Sequence, residues 1–579
     1  MPAGDPMSAP VAEPLPSGLA AALARPAAHP LDPDAARGVR AVETHLSHVY
    51  LTRRRAYKLR KAVDLGFVDF SRRAERNADC LREVALNRRL APDVYLGVAP
   101  VEPVETPGGG WRVGAPGEAL RGGAAPPEHV VVMRRLAAGR DALSLLAAGR
   151  LRSRHVDATA EWVARFHAGS RWDGARAFSR AEWLARVTRP VEENFRFLGK
   201  EPPERVPRAA LARAAEGARA FVAAHAERFE ERRRAGRVVD GHGDLHLQHV
   251  FFERDDAPPL LIDCLEFRED LRRIDAAAEV AFLAMDLAYR GRRDLAERFL
   301  RVYAAASDDY ALYGVVDYFV AYRAAVRAKV AAAAAGDAGI APRQRAAARR
   351  SALRHLALSV RALAPGRAAR APALVVLCGK VGSGKSSLAQ VLADALGGVV
   401  IASDRVRKRL AGLADRERTA APGALYAPER RDAVYEALLE RAVPVLASGR
   451  VALLDATFAR AAQRGRARGL AAAEGVPAFL VEARCGRALT LARLARREAA
   501  DRDASDAGPA VYRATAEAFE PPREWPRATR FALATDRPWR AAARALARRL
   551  ARAAAIRAEG GVADLSGESA ARPTRRRTR

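Results

Sequence analysis

Cysteine is scarce in this sequence of 579 residues. The cysteines are Cys80, Cys264, Cys378 and Cys485, and no two of them form a CxxC pair. Such wide spacing argues against a structural zinc site and against a disulfide framework. Cys264 and Cys378 lie in apolar, strand-like runs, so we expect them to be small core residues.

Long hydrophobic runs are also missing. The sequence contains no uncharged apolar run of about 18 residues, the length that a membrane-spanning helix needs. Its N-terminal part does not combine a basic region with an apolar stretch, as a secretory signal peptide does. We therefore expect a cytoplasmic protein without a membrane partner.

Aromatic residues make up only 6% of the chain, although 50% of it is hydrophobic, because alanine supplies much of that half. This balance predicts a helix-rich protein with thin side-chain packing. The formal net charge is +30. Arginine is spread along the chain among acidic residues, and no basic stripe with interleaved aromatic residues occurs. A solvated surface is therefore favoured over a nucleic-acid groove.

Lysine is rarer still. The lysines are Lys58, Lys61, Lys200, Lys329, Lys380, Lys385 and Lys408. In a chain that otherwise uses arginine for positive charge, a retained lysine can mark a site that needs a compact ammonium group. Two of the lysines lie in a glycine-rich loop, and two lie in a strand-like segment near the N-terminus.

Length and composition predict more than one domain, because the chain is too long for a single hydrophobic core. Stretches rich in proline, glycine and alanine mark the predicted boundaries. The predicted segments are a mobile arm (1–35) with at most one short helix, a first domain (36–363), a linker (364–372), a second domain (373–556) and a disordered basic tail (557–579). We expect the two domains to fold separately.

The order of apolar runs differs between the two domains. The first domain has predicted strands at 48–52, 56–61 and 130–133, a helix at 73–90, mainly helices over 156–234, a hairpin of 250–252 with 260–262, and further helices to about 363. The second domain alternates helices with predicted parallel strands at 374–377, 399–401, 451–454 and 479–481.

A phosphate-binding motif begins the second domain. Residues 379–386 fit the pattern GxxxxGK[ST], between an apolar strand and a helix as that motif requires. The glycines let backbone N–H groups surround phosphates, and the helix N-terminus favours anions. The predicted nucleotide-binding residues are Gly379, Lys380, Val381, Gly382, Ser383, Gly384, Lys385, Ser386 and Ser387. Lys385 should reach the β- and γ-phosphates, and Ser386 should bind Mg²⁺.

Two carboxylates are predicted to end strands of the same domain. Asp455 ends one strand, where it is placed to hold Mg²⁺, and Asp404 ends another, where it could accept the proton of an attacking hydroxyl group. Helix capping is the alternative role for each. Arg493 and Arg497 lie four residues apart on one helix face and are predicted to close over the triphosphate, with a solvated face as the alternative.

These residues resemble the small P-loop kinases, a group that includes gluconate kinases, polynucleotide 5′-kinases and zeta-toxin-like kinases. The resemblance covers roughly residues 373–555, and the tract 505–507 also resembles these proteins. It implies phosphorylation of a hydroxyl group by ATP, without specifying which hydroxyl.

A second motif lies in the first domain. His242-Gly-Asp-Leu-His-Leu-Gln-His249 precedes the predicted hairpin, and Asp263 ends it. The pattern resembles the catalytic core of the aminoglycoside phosphotransferase and protein-kinase-like superfamily, in which H-G-D-x-x-x-x-N precedes a metal-binding Asp. The resemblance implies that Asp244 takes the substrate proton, that Asp263 holds Mg²⁺ and that His242 supports the loop.

Upstream residues agree with this resemblance. Lys58 lies in a strand where the phosphate-contacting lysine of the superfamily is expected, and Glu83 on the next helix is placed to pair with it. Lys61 is the alternative lysine. The two lysines face opposite sides of one strand, so only one can enter the cleft, and Lys58 is preferred. Residues 133–136 are the expected hinge beneath the adenine.

Two departures from the superfamily pattern stand out. No glycine-rich loop lies between His48 and Tyr57, and His249 occupies the position of the superfamily Asn. We therefore expect a weak or single-metal phosphotransferase site. His249 would either contact the metal or hold the loop, and Glu266 is a candidate second carboxylate ligand.

The whole chain resembles the bacterial bifunctional aminoglycoside phosphotransferase/ATP-binding proteins. The predicted fold class is an α+β kinase-like bilobal domain followed by an α/β doubly wound P-loop NTPase domain. The predicted function is transfer of the γ-phosphate of ATP, with Mg²⁺, to hydroxyl groups of small-molecule acceptors. Two alternatives stay open: a P-loop ATPase switch with a non-catalytic kinase-like sensor domain, and a polynucleotide 5′-end kinase.

Overall fold

The computed structural model of the protein describes residues 12–66, 68–105, 110–122, 127–364, 371–415, 417, 428–500 and 508–564. The chain forms two compact units. The first runs to Trp183 and resumes over Glu231–Leu287, and the second contains Leu184–Glu230 and the residues from Ala288 onward. None of the helices in these described ranges has the length and apolar character needed to cross a membrane.

The first unit contains ten strands and five helices of its own among the described residues. The strands are β1 (Arg40–Glu43), β2 (Ser47–Leu51), β3 (Arg55–Arg60), β4 (Tyr95–Pro103), β5 (Trp111–Val113), β6 (Glu128–Arg134), β7 (Val238–Asp240), β8 (Val250–Phe251), β9 (Leu260–Leu261) and β10 (Arg273–Asp275). The helices are α1 (Leu19–Leu23), α2 (Arg73–Arg88), α3 (Ala142–Ala147), α4 (Ser153–Gly169) and α7 (Glu269–Arg272). Helices α5 (Arg180–Lys200), α6 (Arg208–Arg234) and α8 (Ala276–Tyr289) contribute residues to both units.

Six strands of the first unit form an antiparallel sheet in the order β1-β2-β3-β6-β4-β5. Successive side chains of β6 point to opposite faces. Val130 and Val132 join the core cluster that contains Leu19, whereas Val131 packs in a cluster with Cys80 of α2. Because both faces are covered, this strand is a continuous apolar run. The predicted β8–β9 hairpin is confirmed as well.

The N-terminal segment differs from the mobile arm predicted for residues 1–35. Leu19 and Leu23 of α1 are fully buried against the sheet. The hydroxyl group of Tyr50 donates a hydrogen bond of 2.8 Å to a backbone carbonyl of α1. A proline- and alanine-rich composition does not reveal that two leucines four residues apart cover a sheet. Residues 1–11 lie outside the described part of the chain.

The second unit combines a parallel sheet with helices from both halves of the sequence. Its strands are β11 (Ala373–Cys378), β12 (Val399–Ala402), β13 (Val451–Asp455), β14 (Ala478–Arg484) and β15 (Arg530–Ala534). Its helices are α9 (Arg293–Ser307), α10 (Val316–Gly336), α11 (Pro342–Leu363), α12 (Lys385–Leu396), α13 (Ser403–Leu410), α14 (Pro428–Ala447), α15 (Ala461–Ala473), α16 (Arg487–Ala500), α17 (Pro509–Ala516) and α18 (Arg540–Asp564).

The sheet order is β12-β13-β11-β14-β15, and every neighbouring pair is parallel. This confirms the four predicted parallel strands and adds β15. Leu388 and Leu392 of α12 and Leu546 of α18 share one core cluster with β-strand residues such as Val375. The carboxyl ends of parallel strands meet at one edge of the sheet, where α/β folds bind their ligands. Asp455 ends β13 at that edge.

The two compact units do not follow the predicted boundary at 364–372. Arg450, immediately before β13, forms salt bridges with Glu297 of α9 at 2.8 Å and with Asp317 of α10 at 3.0 Å. All three residues are buried. Helices that precede the predicted linker therefore pack with the parallel sheet, so the expectation of separate folding at this point differs from the structure. Residues 365–370 lie outside the described residues.

The C-terminal tail is also partly structured. Helix α18 continues to Asp564, so the first residues of the predicted disordered segment 557–579 are helical. The alanine- and arginine-rich sequence of α18 has a high intrinsic helix propensity, which favours this continuation. Residues 565–579 lie outside the described part of the chain.

Candidate active sites

Strand β3, helix α2 and the segment after β9 bring three charged side chains together. Lys58 Nζ donates hydrogen bonds to Glu83 Oε1 at 2.9 Å and to Asp263 Oδ1 at 3.1 Å. Burial lowers the pKa of Lys58, but the carboxylates of Asp263 and Glu83 outweigh it and raise that pKa. Lys61 directly follows β3 and pairs with Glu43 instead. Of the two lysines, Lys58 is therefore the one that meets other predicted site residues.

Asp263 is held by its backbone as well as by its side chain. It has a φ of 62°, which is uncommon for a residue with a side chain. Its N–H donates to the hydroxyl group of Tyr95 at 3.1 Å, and its Oδ2 lies 3.4 Å from His249 Nε2. The Lys58 ammonium group lowers the pKa of Asp263, so the carboxyl group is ionised at neutral pH. Such conformations persist where the surrounding contacts fix them, often at functional sites.

His242 supports the loop that carries Asp244. The ring is 1% exposed. Its Nε2 lies 2.8 Å from the carbonyl oxygen of Ile262, and its Nδ1 accepts from the N–H of Asp244 at 3.3 Å. Burial lowers the pKa of His242 to about 4. The neutral ring therefore connects the loop to the segment before Asp263, which is the position that the predicted supporting role requires.

Glu279 of α8 supports the same loop and was missed in the sequence. Its carboxylate accepts from the N–H of His242 at 2.6 Å and from the N–H of Gly243 at 3.0 Å. Gly243 has a φ of 84°. Glu279 lies 37 residues after His242 in an alanine-rich helix. No local pattern marks it, and only the fold brings it beneath the loop.

Asp244 faces two histidines of its own loop. Its Oδ2 lies 3.4 Å from His246 Nε2 and 3.7 Å from His249 Nδ1. Burial raises the pKa of Asp244, but the neighbouring imidazoles, first the hydrogen-bonding ring of His246, outweigh it, so the pKa is lowered. His246 was missed in the sequence analysis. The only hint in the sequence is that the motif of residues 242–249 contains a second histidine between His242 and His249.

Arg60 forms a buried ionic network next to Lys58. The two residues share one face of β3 because they are two residues apart. Arg60 Nη2 lies 2.7 Å from Glu83 Oε2 and also contacts Glu266, and Arg60 Nε lies 2.7 Å from Asp79 Oδ2. Burial raises the pKa of Glu266 to about 8. Glu266, considered above as a second metal ligand, is therefore committed to Arg60 instead.

The phosphate-binding loop of the second unit depends on its glycines. Gly379, Gly382 and Gly384 have φ values of 139°, 75° and 86°, which only glycine adopts without strain. A Cβ atom on Gly382 would lie 2.9 Å from Cγ of Leu494, so the loop also lacks space for a side chain there. The loop then enters α12, whose N-terminus points its free N–H groups toward the site.

Lys385 lies within this loop, and Asp455 ends the strand next to β11. Lys385 Nζ donates to the carbonyl oxygens of Gly379 at 3.0 Å and Lys380 at 2.9 Å, so the ammonium group lies within the loop. Asp455 is paired in register with Leu377 at the end of β11. This register places Asp455, which is buried, beside the beginning of the loop.

Asp404 and Arg493, the remaining predicted residues of the second unit, contact neighbouring protein groups. Asp404 lies in the first turn of α13, not at the strand end, and contacts Arg407. Arg493 Nη2 donates to the carbonyl oxygen of Thr535 at 2.7 Å, next to Gly384. Thr535, which was missed in the sequence, donates from Oγ1 to the carbonyl oxygen of the loop residue Ser383 at 2.7 Å.

Two features predicted from the sequence lie outside the described residues. The side chain of Arg497, the second predicted lid arginine, lies outside the described residues. The tract 505–507 lies outside them as well.

The donors available to a metal ion differ between the two sites. Ser386 and Asp455 offer oxygen atoms, which suit a hard ion such as Mg²⁺. Asp263 offers an oxygen atom, but its neighbour His249 offers a nitrogen atom. The site of the second unit therefore fits Mg²⁺ with oxygen ligands alone. The site of the first unit offers both oxygen and nitrogen.

Comparison with known sequences assigns a family model to the second domain and finds relatives that match most of the chain. The family model described as AAA domain (AAA_33) matches residues 374–522. The uncharacterized protein Rv2004c of Mycobacterium tuberculosis (strain H37Rv) is 35% identical over 460 residues, which are 79% of this chain and 85% of the relative. The uncharacterized protein Mb2027c of Mycobacterium bovis has the same identity and coverage.

Solved structures similar to the chain fall into two groups. A gluconokinase from Sinorhizobium meliloti 1021 is 21% identical, with a TM-score of 0.23, over 34% of this chain and 99% of that structure. A choline/ethanolamine kinase family protein from Mesorhizobium loti is 15% identical, with a TM-score of 0.32, over 59% of this chain and 98% of that structure.

Proposed function

The chain belongs to the family of the mycobacterial proteins Rv2004c and Mb2027c, and we propose that it is an ATP-dependent phosphotransferase with two kinase-type domains. Each domain transfers the γ-phosphate of ATP to a hydroxyl group of a small-molecule acceptor. The observation that carries this proposal is the meeting of Lys58, Glu83 and Asp263 beside the loop of Asp244.

In the first domain, the triphosphate binds beside Lys58 and Asp263, whose direct contact of 3.1 Å then has to open. Glu83 fixes the direction of the Lys58 ammonium group through their 2.9 Å contact. When bound, the metal ion neutralises the charge that develops on the phosphate oxygens. Asp244, whose pKa is lowered, is ionised and accepts the proton of the acceptor hydroxyl group. The new P–O bond forms as the bond between the γ-phosphorus and the β,γ-bridging oxygen breaks, and ADP leaves.

In the second domain, the backbone N–H groups of residues 379–386 surround the phosphates. Lys385 leaves its carbonyl partners and contacts the β- and γ-phosphates. Ser386 and Asp455 hold the metal ion through oxygen atoms. Asp404 is proposed as the base for the acceptor hydroxyl group, and its contact with Arg407 then has to open. Arg493 and Arg497 are proposed to contact the triphosphate.

Counting nucleotide sites on the full-length protein tests this proposal. Equilibrium binding of a non-hydrolysable ATP analogue should give two sites per chain. Lys58→Met should remove one site and Lys385→Met the other, because each loses its phosphate contact. The matched control is Lys61→Met, which changes the lysine that directly follows the same strand and pairs with Glu43. If both sites survive Lys58→Met and Lys385→Met, or if Lys61→Met removes a site, the proposal is wrong.

A further inference from the structure

The hydrogen bonds of the catalytic loop define which nitrogen carries the proton in each of its histidines. Backbone carbonyl groups only accept, and backbone N–H groups only donate. His242 Nε2 faces the carbonyl oxygen of Ile262, so it carries the hydrogen. His246 Nδ1 accepts from the N–H of Gln248 at 3.3 Å, so its hydrogen lies on Nε2 and points to Asp244.

His249 has the opposite arrangement to His246. Its Nδ1 lies 2.9 Å from the carbonyl oxygen of Asp244 and therefore carries the hydrogen. In the neutral ring, Nε2 then keeps its lone pair. That nitrogen lies 3.4 Å from Asp263 Oδ2, which is also an acceptor. Two acceptors that face each other at this distance repel each other, and a cation bound by both atoms relieves that repulsion.

The separation of these two atoms suits a metal ion. With ligand bonds of about 2.1 Å and a tetrahedral angle, two ligand atoms are about 3.4 Å apart. Lys58 contacts the other carboxylate oxygen of Asp263, so Oδ2 is the oxygen that faces His249. A metal-binding His commonly donates its second N–H to a backbone carbonyl group, as His249 does here.

We propose that His249 Nε2 and Asp263 Oδ2 form a binding site for a single first-row transition-metal ion, in preference to Mg²⁺. Mg²⁺ prefers oxygen ligands, whereas imidazole nitrogen suits transition-metal ions. His246 takes no part as a ligand, because its Nε2 hydrogen points to Asp244. The other coordination positions remain for water and for phosphate oxygens of the nucleotide, and in this respect the inference rests on the proposed function.

The test uses Mn²⁺ as the probe, on the full-length protein without nucleotide. Pulsed electron paramagnetic resonance detects the ¹⁴N hyperfine coupling of an imidazole bound to Mn²⁺. The P-loop site offers oxygen ligands, so it gives no such signal. We expect the coupling in the wild type and its loss in His249→Asn. The matched control, His246→Asn, should keep it.

A second readout is the ratio of Mn²⁺ affinity to Mg²⁺ affinity. His249→Asn should lower this ratio by on the order of tenfold, because an oxygen atom replaces the nitrogen ligand. Circular dichroism checks that each variant is folded. The inference is overturned if the folded wild type shows no ¹⁴N coupling, or if His246→Asn removes the coupling while His249→Asn keeps it. A coupling without any phosphoryl transfer would instead refute the proposed function and leave the metal site in place.

Discussion

Arg60 and Glu83 are joined by a buried contact of 2.7 Å between Nη2 and Oε2. The other carboxylate oxygen of Glu83 accepts from Lys58. One glutamate therefore connects the proposed phosphate-binding lysine to an arginine that also contacts Asp79 and Glu266. The position of Lys58 therefore depends on the buried contacts of Arg60, which itself is not proposed to bind the triphosphate.

Arg60→Met should destabilise the protein by about 3–5 kcal/mol, because it leaves buried carboxylates without their cation. It should also weaken binding of the ATP analogue at the first site, since Glu83 loses one of its two partners. Denaturant unfolding measures the first effect. The control is Arg82→Met, since Arg82 also pairs with Asp79, but its side chain is 45% exposed. Equal and small losses for Arg60→Met and Arg82→Met would contradict the network.

Arg450→Met tests the packing of the second unit. Its guanidinium group is shared by Glu297 and Asp317, and all three side chains are buried. Removing it should destabilise the second unit by about 3–5 kcal/mol. The exposed pair of Arg466 and Glu436 provides the control, and Arg466→Met should cost less than about 1 kcal/mol. Limited proteolysis should show faster cleavage in Arg450→Met only. Unchanged unfolding and proteolysis would mean that the helices and the parallel sheet fold independently.

The buried ring of His242 predicts a pH dependence of stability. Its pKa is about 4 in the folded protein, against about 6.5 for an unfolded chain. The unfolded chain therefore binds the proton more readily, and stability should fall as the pH drops from about 6.5 to 4. The contribution of this ring is roughly 3 kcal/mol over that window. Comparing the unfolding free energies of the wild type and His242→Asn isolates it. A difference that stays constant between pH 4 and 6.5 would refute this origin.

Gly382→Ala should impair the phosphate-binding loop. The residue has a φ of 75°, and a Cβ atom would lie 2.9 Å from Leu494. Strain of about 1–3 kcal/mol should lower affinity for the ATP analogue at the second site roughly tenfold or more. The control is Gly469→Ala within α15, where a Cβ atom meets nothing within 4 Å. That variant should keep its affinity. Unchanged affinity in Gly382→Ala would contradict the proposed loop geometry.

The motifs at residues 242–249 and 379–386 could be recognised in the sequence because each is short and local. The pattern of residues 379–386 encodes its own backbone geometry, and the three loop glycines have the positive φ values that it requires. Alternation along a strand also separates Lys58 from Lys61, and the structure places Lys58 next to Glu83 and Asp263. Local chemistry was therefore enough to predict the centres of both candidate sites.

The residues that support the two candidate sites could not be predicted from the sequence, and the reason is physical. Arg60 and Arg450 are two arginines among many, and burial, not residue type, distinguishes them. Glu279 reaches the loop of His242 only through the packing of α8, at a separation of 37 residues. The packing of α1 against the sheet likewise depends on partners far away in the sequence. Contacts of this kind become visible only when the fold is known.

The most direct test of the two-site account is phosphoryl transfer itself. The full-length protein is incubated with ATP labelled at the γ-phosphate and a metabolite extract, and labelled products are separated by chromatography. Asp244→Asn should remove one set of products, and Lys385→Ala should remove a different set, with a loss in rate of about 10²–10³-fold for each. The double variant should give none. Labelled products that are unchanged in both single variants would contradict the account.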